Sequence, residues 1–156
     1  MKIRQATPAD SLVLSSLCKD VQSLHAEHHP DVFKAPESED FATSFFEEAL
    51  ADLTIRIFVA ENEEQALGYI LCKSVEREES PFIYARRYLM IDQIGVRPMA
   101  RGQGVGVALI QRAEELAKEL GVPRIQLDSW DFNVRAHAFF EKQGFQKFMF
   151  RFWRVL

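Results

Sequence analysis

Three glycines at alternate positions, Gly102, Gly104 and Gly106, lie where an apolar strand-like run passes into a helical run. This junction constrains the fold most strongly, because it requires a strand that leads almost directly into a helix. Glycine lets the backbone approach a ligand without a Cβ in the way, and the unpaired N–H groups of a helix's first turn favour a phosphate. Together with the cation of Arg101, these features predict a phosphate-binding loop. The alternative is a tight turn whose glycines serve packing alone.

The spacing of the glycines excludes two familiar phosphate loops. A P-loop requires a lysine and a hydroxyl residue after its last glycine, and neither follows Gly106. A dinucleotide fingerprint requires a third glycine one residue later than this one. It also belongs to the first strand–helix unit of its domain, whereas this loop lies well past the middle of the chain. The pattern that remains is Arg-x-x-Gly-x-Gly, from Arg101 to Gly106.

Composition is that of an ordinary soluble protein. The 156 residues, of which 47% are hydrophobic and 27% charged, suit one domain that spans residues 1–156. No apolar run approaches the ~20 residues of a membrane span, and the first residues lack the apolar core of a secretory signal. A net charge of −4 argues against nucleic-acid binding. Cys18 and Cys72 have no metal or redox spacing, so we expect reduced thiols in a cytoplasmic protein.

Hydrophobic periodicity and capping signals predict the order β-α-α-β-β-β-α-β-α-β. The first helix begins at Thr7-Pro8-Ala9-Asp10, where Thr7 is the N-cap and Asp10 reaches back to it. The second begins near Ser38. The later helices cover residues 104–120 and 132–143, and the strands cover residues 2–6, 54–61, 66–76, 88–96, 124–128 and 145–155. This order combines an antiparallel meander with a parallel βαβ step.

A second motif joins the loop pattern in pointing to one family. Residues 133–145 read NVRAHAFFEKQGF, which is similar to the Asn-x-x-Ala-x-x-Phe-Tyr-x-x-x-Gly-Phe segment of the Gcn5-related N-acetyltransferases (GNAT). The two motifs and the order of elements resemble that superfamily along the whole chain. The resemblance implies the GNAT fold, a mixed, mostly antiparallel, twisted α+β sheet with helices on both faces. It also implies an enzyme that moves an acetyl group from acetyl-CoA to a primary amine in a ternary complex.

The same resemblance assigns residues to the cofactor. The amides of residues 102–107 would hold the pyrophosphate, and the backbone of the preceding strand would pair with the pantetheine arm as an added strand. Asn133 would contact the pantetheine, although an asparagine at a helix start also serves local backbone groups. The expected cofactor-binding set is Ile94, Gly95, Val96, Arg101, Gly102, Gln103, Gly104, Val105, Gly106, Val107, Asn133 and Phe140.

Two proton transfers complete the implied reaction. An alkylamine, with a pKa near ~10.4, must lose a proton, and Asp92 in the strand before the loop is the candidate general base. The alternative is a buried carboxylate paired with Arg87 or another cation. The thiolate must gain a proton, but Phe140 stands where the family has tyrosine. Tyr84 and Tyr88 are candidate proton donors in its place. The alternative is that they only pack in the strand. This departure keeps open a second function, an acyl-CoA-binding sensor or interaction module without turnover.

Two further features each allow two interpretations. His25, His28 and His29 have spacings that suit a metal, but no fourth ligand is evident, so we expect no metal and consider contact with the acceptor instead. Residues 148–156, FMFRFWRVL, are either a core strand or the edge of a homodimer.

Overall fold

The computed structural model describes residues 1–156 and contains one five-stranded sheet. The strands are β1 (Lys2–Gln5), β2 (Ile55–Glu61), β3 (Ala66–Arg77), β4 (Arg86–Val96) and β5 (Ile125–Leu127). The helices are α1 (Ser11–His28), α2 (Thr43–Ala51), α3 (Val105–Glu119) and α4 (Val134–Lys142). The strands lie side by side in chain order; β1 to β4 pair antiparallel, and β5 joins β4 in parallel. The predicted mixed, mostly antiparallel sheet is confirmed.

Each face of the sheet carries its own core, because neighbouring side chains on a strand point to opposite faces. On β3, Ile70 and Cys72 pack in the cluster that contains the apolar side of α3 and Phe140 of α4. Tyr69 and Leu71, which alternate with them, pack with α1 and α2. Helices therefore cover both faces, as predicted. None of the helices is both long and apolar enough to cross a membrane.

The first helix begins as the sequence predicts. A 3-10 turn, Pro8–Asp10, leads into α1. The backbone N–H of Asp10 donates to the Thr7 carbonyl at 2.9 Å, and the N–H of Thr7 donates to the Asp10 carboxylate at 2.7 Å. Such reciprocal bonds satisfy N–H groups that a helix start otherwise leaves without acceptors.

The second helix begins later than predicted. Ser38 hydrogen-bonds to Asp40, and helical structure starts only at Thr43. The reason lies in α1: the buried hydroxyl of Ser15 accepts the N–H of Ala42, the residue before α2, at 3.0 Å. A tertiary contact, and not a local capping signal, therefore sets where α2 begins.

The prediction of a final strand over residues 145–155 is wrong for this single chain. The helix α4 ends at a left-handed Gly144 (φ 86°), and no residue after it forms a helix or a strand. The aromatic run has the alternation of a strand, but alternation predicts strand geometry without supplying a neighbouring strand to pair with.

Candidate functional site

The sheet opens between β4 and β5. β5 pairs with β4 only from Leu89 to Ile91, so the last part of β4 has a neighbouring strand on the β3 side alone. Ile94, Gly95 and Val96 lie on this open edge, opposite Ile70, Tyr69 and Gly68 of β3. An open edge presents backbone groups to which an extended ligand can add as a further strand. The binding of a pantetheine arm by these three residues stays a prediction.

The predicted strand-to-helix loop directly follows this open edge. Gly102 and Gly104 have φ values of 78° and 81°, which L side chains rarely adopt, and Gly104 is the residue before α3. Apart from the adjacent residues of the chain, nothing lies within 4 Å of where a Cβ would stand on either glycine. None of the six N–H groups of residues 102–107 donates to a protein acceptor. The loop therefore carries six N–H groups without protein acceptors at the positive end of a helix dipole, with open space beside Gly102 and Gly104, which is an arrangement that suits a phosphate.

Side chains around the loop hold its backbone in place. Arg101 donates from Nε to the Val96 carbonyl at 3.2 Å, and Gln103 donates from Nε2 to the Met99 carbonyl at 2.9 Å. Both side chains are exposed, and the other two guanidinium nitrogens of Arg101 have no protein partner. The guanidinium thus lies beside the amide row with capacity for a further anion contact.

The second motif packs against the loop through one close contact. A Cβ on Gly106 would meet Cζ of Phe139 at 3.0 Å, so the glycine lets α3 and α4 approach closely. Phe140, the next residue on α4, is buried in the core with Val105. The two sequence motifs, separated by some thirty residues, are therefore adjacent in the fold. Because the Phe140 ring is buried and has no hydroxyl, this position offers no proton for a leaving thiolate.

Asn133 lies at the start of α4, and its side chain serves the local backbone. Its Oδ1 accepts the N–H of Ala136 at 3.4 Å, which is the capping role that the sequence left open as an alternative. The bond is long, and the amide Nδ2 has no protein partner. A contact between Asn133 and a pantetheine arm therefore stays a prediction.

Asp92 occupies a bulge in β4. The register steps from Leu71–Gln93 to Cys72–Ile91, so Asp92 has no residue opposite it on β3. Its side chain is exposed and forms no ion pair or hydrogen bond with another side chain. Arg87, its predicted alternative partner, pairs instead with Glu76 at 3.1 Å. The interpretation of Asp92 as a buried, paired carboxylate is therefore wrong, and its role as general base stays a prediction.

The bulge also reverses the faces of β4. In a regular strand Ile91 and Gln93 would share a face, but here Ile91 packs with α3 while Gln93 turns towards α1. The Tyr69 hydroxyl donates to Oε1 of Gln93 at 2.8 Å, and Sγ of Cys18 lies 4.0 Å from the same oxygen. Burial raises the pKa values of Tyr69 and Cys18, so both stay neutral donors. Sequence reasoning missed this contact of Gln93 with Tyr69 and Cys18, since the three residues come from three separate elements.

Neither candidate tyrosine reaches the open edge. Tyr88 lies opposite Val75, in the part of β4 that precedes the opening. It lines a cleft of about 690 Å³ at the far end of the strand. Tyr84 is exposed in the turn before β4. Packing and turn structure thus account for both residues, and this cleft does not lie at the open edge.

The three histidines join an aromatic cluster at the end of α1. The His28 ring stacks on Phe132 with 4.3 Å between centroids, and His29 lies 5.1 Å from both Trp130 and Trp153. His25 and His28 also bond from Nδ1 to the carbonyls one turn earlier. No group of three or more His, Cys, Asp and Glu side chains has an arrangement that could hold a metal ion. Ring packing therefore accounts for the histidine spacing.

Comparison with known proteins agrees with this geometry. The sequence model of the acetyltransferase (GNAT) family matches residues 19–145. A mutant of the BH1408 protein from Bacillus halodurans has the same fold, with a TM-score of 0.94 and 27% identity over 100% of this chain and 99% of that one. N-acetyltransferase 8F1 of Rattus norvegicus is 27% identical over 103 residues, which cover 64% of this chain and 45% of the relative.

A shorter match includes the uncharacterised protein YdhI of Bacillus subtilis, which is 42% identical over 53 residues. These residues cover 34% of this chain and 33% of YdhI. The chain thus spans less than half the length of these two curated relatives.

Proposed function

Because the chain belongs to the acetyltransferase (GNAT) family, we propose that it is an N-acetyltransferase that moves an acetyl group from acetyl-CoA to a primary amine. The acceptor is a small molecule, a peptide or a protein. The observation that carries the proposal is the row of six amides without acceptors at the start of α3, directly after the open edge of β4. Acetyl-CoA matches both features, because it joins a diphosphate, which suits the row of amides, to an extended arm with amide groups, which suits the open edge of β4.

The residues of the loop and strand suit acetyl-CoA in distinct ways. The amides of residues 102–107 and the guanidinium of Arg101 would bind the pyrophosphate. The backbone of Ile94, Gly95 and Val96 would pair with the amides of the pantetheine arm. In this arrangement the thioester lies near the opening between β4 and β5, close to the bulge that carries Asp92. Most of the rate gain would come from holding the amine and the thioester at attack distance.

The proposed chemistry is a direct transfer in a ternary complex. The acceptor arrives as an ammonium ion, and Asp92 accepts its proton, either directly or through water. The amine nitrogen then attacks the thioester carbonyl carbon; the new C–N bond forms, the nitrogen releases its second proton to water, the C–S bond breaks, and CoA leaves as the thiolate. Since Phe140 supplies no proton, the thiolate is protonated by solvent. An exposed carboxylate at the opening, without a cation to neutralise it, suits the first step.

One observation favours a second candidate function, binding of acyl-CoA without turnover. Phe140 is buried, neither Tyr84 nor Tyr88 reaches the open edge, and the buried hydroxyl of Tyr69 donates to Gln93. No tyrosine hydroxyl is therefore free to protonate the leaving thiolate. A sensor would need the loop and the edge but no proton donor. The two candidates differ in CoA release: in the presence of the right amine only the enzyme releases free thiol above the spontaneous rate.

The first experiment is a thermal shift with acetyl-CoA, CoA and NAD in parallel. A ligand present at ~100 times its dissociation constant adds about 2.7 kcal/mol, which raises the melting temperature of a chain of this size by several degrees. We expect both CoA species to raise the melting temperature and NAD to leave it unchanged. No shift with either CoA species would contradict the proposed loop function.

A matched pair of variants assigns the binding to the loop. Gly104 and Gly121 both have positive φ values and open space around them, but only Gly104 belongs to the loop. Gly104→Asp and Gly121→Asp should therefore cost similar backbone strain. Only Gly104→Asp should abolish acetyl-CoA binding, because it puts a negative charge into the phosphate site. Equal affinity in the two variants would contradict the assignment.

A panel of amines and acyl-CoAs then separates the two candidate functions. Release of free CoA thiol, followed with each amine in turn, identifies the acceptor class if the protein is an enzyme. Comparison of acetyl-CoA with longer acyl-CoAs identifies the donor. Binding of acyl-CoA without release of CoA in the presence of any of these primary amines would favour the sensor.

A further inference from the structure

The cleft at the end of the sheet away from the glycine loop gathers arginine side chains. It has a volume of about 690 Å³, and residues from the ends of β3 and β4 and from the turn before β5 line it. β4 begins at this cleft with Arg86 and ends at Val96, before the loop, so the two sites are about 33 Å apart along the strand at ~3.3 Å per residue. The charged residues of the lining are four arginines and two glutamates: Arg77, Arg86, Arg87, Arg124, Glu76 and Glu78.

Most of this positive charge has no carboxylate partner. Arg87 pairs with Glu76 at 3.1 Å, but the other three arginines of the cleft form no ion pair. Arg77 makes only a long bond, of 3.4 Å, to the backbone carbonyl of Glu76. Glu78, the second acidic residue of the lining, pairs with none of the arginines. The cleft is thus a positive patch on a chain whose net charge is −4, and such a patch attracts anions.

The register of the hairpin puts two of these arginines directly opposite each other. Arg77 of β3 lies across from Arg86 of β4. Directly opposite residues have their Cβ atoms about 4.5–5.5 Å apart, and like charges there destabilise a sheet. The neighbouring pair, Glu76 and Arg87, has the opposite charges that a sheet favours. The fold alone thus gives no reason for the two arginines, whereas an anion between their guanidinium groups would remove the repulsion.

We propose that this cleft binds a small molecule that carries at least one phosphate group. A guanidinium presents its N–H groups as a planar fork that matches two phosphate oxygens at once. The volume of the cleft lies within the usual range of small-molecule sites, about 300–1,000 Å³. Tyr88 also lines the cleft and adds an aromatic ring and a hydroxyl donor. None of these residues belongs to the proposed acetyl-CoA site, so the cleft is a separate anion site that does not depend on the proposed function.

Backbone amide NMR of the natural chain, titrated with pyrophosphate at physiological salt, tests the proposal. We expect saturable shifts in the amides of residues 85–88 and 124, which line the cleft. Shifts in residues 102–107 would report separately on the glycine loop, so a failure of the acetyl-CoA proposal would leave the result at the cleft unaffected. Absence of saturable shifts in residues 85–88 and 124 would overturn the proposal.

A matched pair of variants distinguishes a built site from general attraction by charge. Arg77→Gln/Arg86→Gln should weaken the binding of pyrophosphate at the cleft at least about tenfold, because it removes charge-assisted hydrogen bonds. The control, Lys2→Gln/Lys142→Gln, removes the same charge from exposed positions on β1 and α4. It should change this affinity less than about twofold, because salt screens distant surface charges. Equal losses of affinity in the two variants would overturn the proposal.

The substitution Arg86→Glu tests the argument from the like-charged pair, because it puts a carboxylate opposite Arg77. We expect the melting temperature of the ligand-free protein to rise by about 1–4 °C. Pyrophosphate should no longer shift the amides of residues 85–88. A fall in the melting temperature would contradict the argument from like charges, and unchanged binding of pyrophosphate would overturn the proposal.

Three probes then identify what the ligand carries besides phosphate. Pyrophosphate, a sugar phosphate and a nucleoside diphosphate are compared at the same amides of the natural chain. Tighter binding of either organic phosphate would show that the cleft also contacts its sugar or its base, and equal affinities would show that it recognises the phosphate group alone. Binding of none of the three would overturn the proposal.

Discussion

At the scale of single residues, the one-residue bulge in β4 decides that Asp92, the proposed base, is exposed and has no partner. Without the bulge, Asp92 would point to the face opposite Ile91 and Gln93, and those two would share a face. With the bulge, Ile91 stays in the core beside α3, Gln93 turns to Tyr69, and Asp92 remains exposed without a partner. Bulges commonly redirect a side chain next to an active site. The role of Asp92 as a base stays a prediction, and a substitution tests it.

The variant Asp92→Asn keeps the shape of the side chain but removes its ability to accept the proton. We expect kcat to fall about 10²- to 10⁴-fold at neutral pH, while the affinity for acetyl-CoA changes little. The loss should shrink as the pH rises, because more of the amine is then already deprotonated. Steady-state kinetics over a pH series, with acetyl-CoA binding measured separately, provide the test.

Asp20→Asn is the control for this variant. Asp20 is exposed on α1 and lies roughly on the far side of that helix from Cys18, which faces Gln93. Its substitution should leave both kcat and the pH profile unchanged. A pH–rate profile of Asp92→Asn that coincides with that of the natural enzyme would exclude Asp92 as the base.

At the scale of elements, α2 shows how tertiary contacts anchor a short helix. Nine residues are too few for a helix to be stable alone in water. Phe46 is fully buried and meets the Tyr69 ring edge-on at 5.7 Å, whereas its neighbour Phe45 is exposed. Ser15 of α1 accepts the N–H of Ala42 just before the helix. The helix therefore depends on one buried ring and one hydroxyl from a neighbouring helix.

Adjacent phenylalanines of α2 give a matched test of this anchoring. We expect Phe46→Ala to reduce the free energy of unfolding by about 3–5 kcal/mol, the usual cost of a large cavity in a core. Phe45→Ala removes the same atoms from an exposed position and should cost less than about 1 kcal/mol. Urea unfolding of the two variants and the natural chain measures both values. Similar losses in the two variants would show that Phe46 does not anchor the helix.

At the scale of the whole molecule, Arg4 joins three parts of the chain. Its guanidinium donates to both carboxylate oxygens of Asp10 at 2.8 Å, and its Nε donates to Glu61 at 2.9 Å. These contacts connect β1, the turn before α1 and the end of β2. Hydrogen bonds from Arg4 lower the pKa of Asp10 from its ordinary 3.8 to about 2, although its burial acts in the opposite direction.

This depressed pKa predicts a loss of stability in acid. The folded state holds the Asp10 carboxylate ionised below the pH at which the unfolded chain protonates it. The contribution is therefore complete above about pH 4 and is lost as the pH falls towards about 2. At ~1.4 kcal/mol per unit, the shift corresponds to about 2 kcal/mol.

Asp10→Asn should therefore reduce the free energy of unfolding by about 2 kcal/mol at pH 7. It should also flatten the dependence of stability on pH between 4 and 2. Urea unfolding at several pH values provides the measurement, and Asp31→Asn, at an exposed aspartate after α1, is the control. If Asp10→Asn and the natural chain lose stability in parallel over this range, Asp10 is not responsible for the acid sensitivity.

Local patterns in the sequence predicted most of the fold. The helix start at Thr7, the strand-to-helix junction before Val105 and the glycine after α4 each depend on residues close together in the chain, because capping, periodicity and turn chemistry act over a few residues. The same holds for the proposed phosphate loop, whose amides and glycines are consecutive. The family assignment also followed from two such local motifs, and it is confirmed.

Tertiary structure alone decided the features that join distant residues. The bulge at Asp92 follows from the register between β3 and β4, and the opening beside Ile94 follows from where β5 ends. The start of α2 depends on Ser15, twenty-seven residues away from Ala42. Periodicity shows which face a residue prefers but not which strand lies beside it, because pairing is an interaction between segments. For the same reason the alternation after Gly144 was visible in the sequence, while the absence of a neighbouring strand within the chain was not.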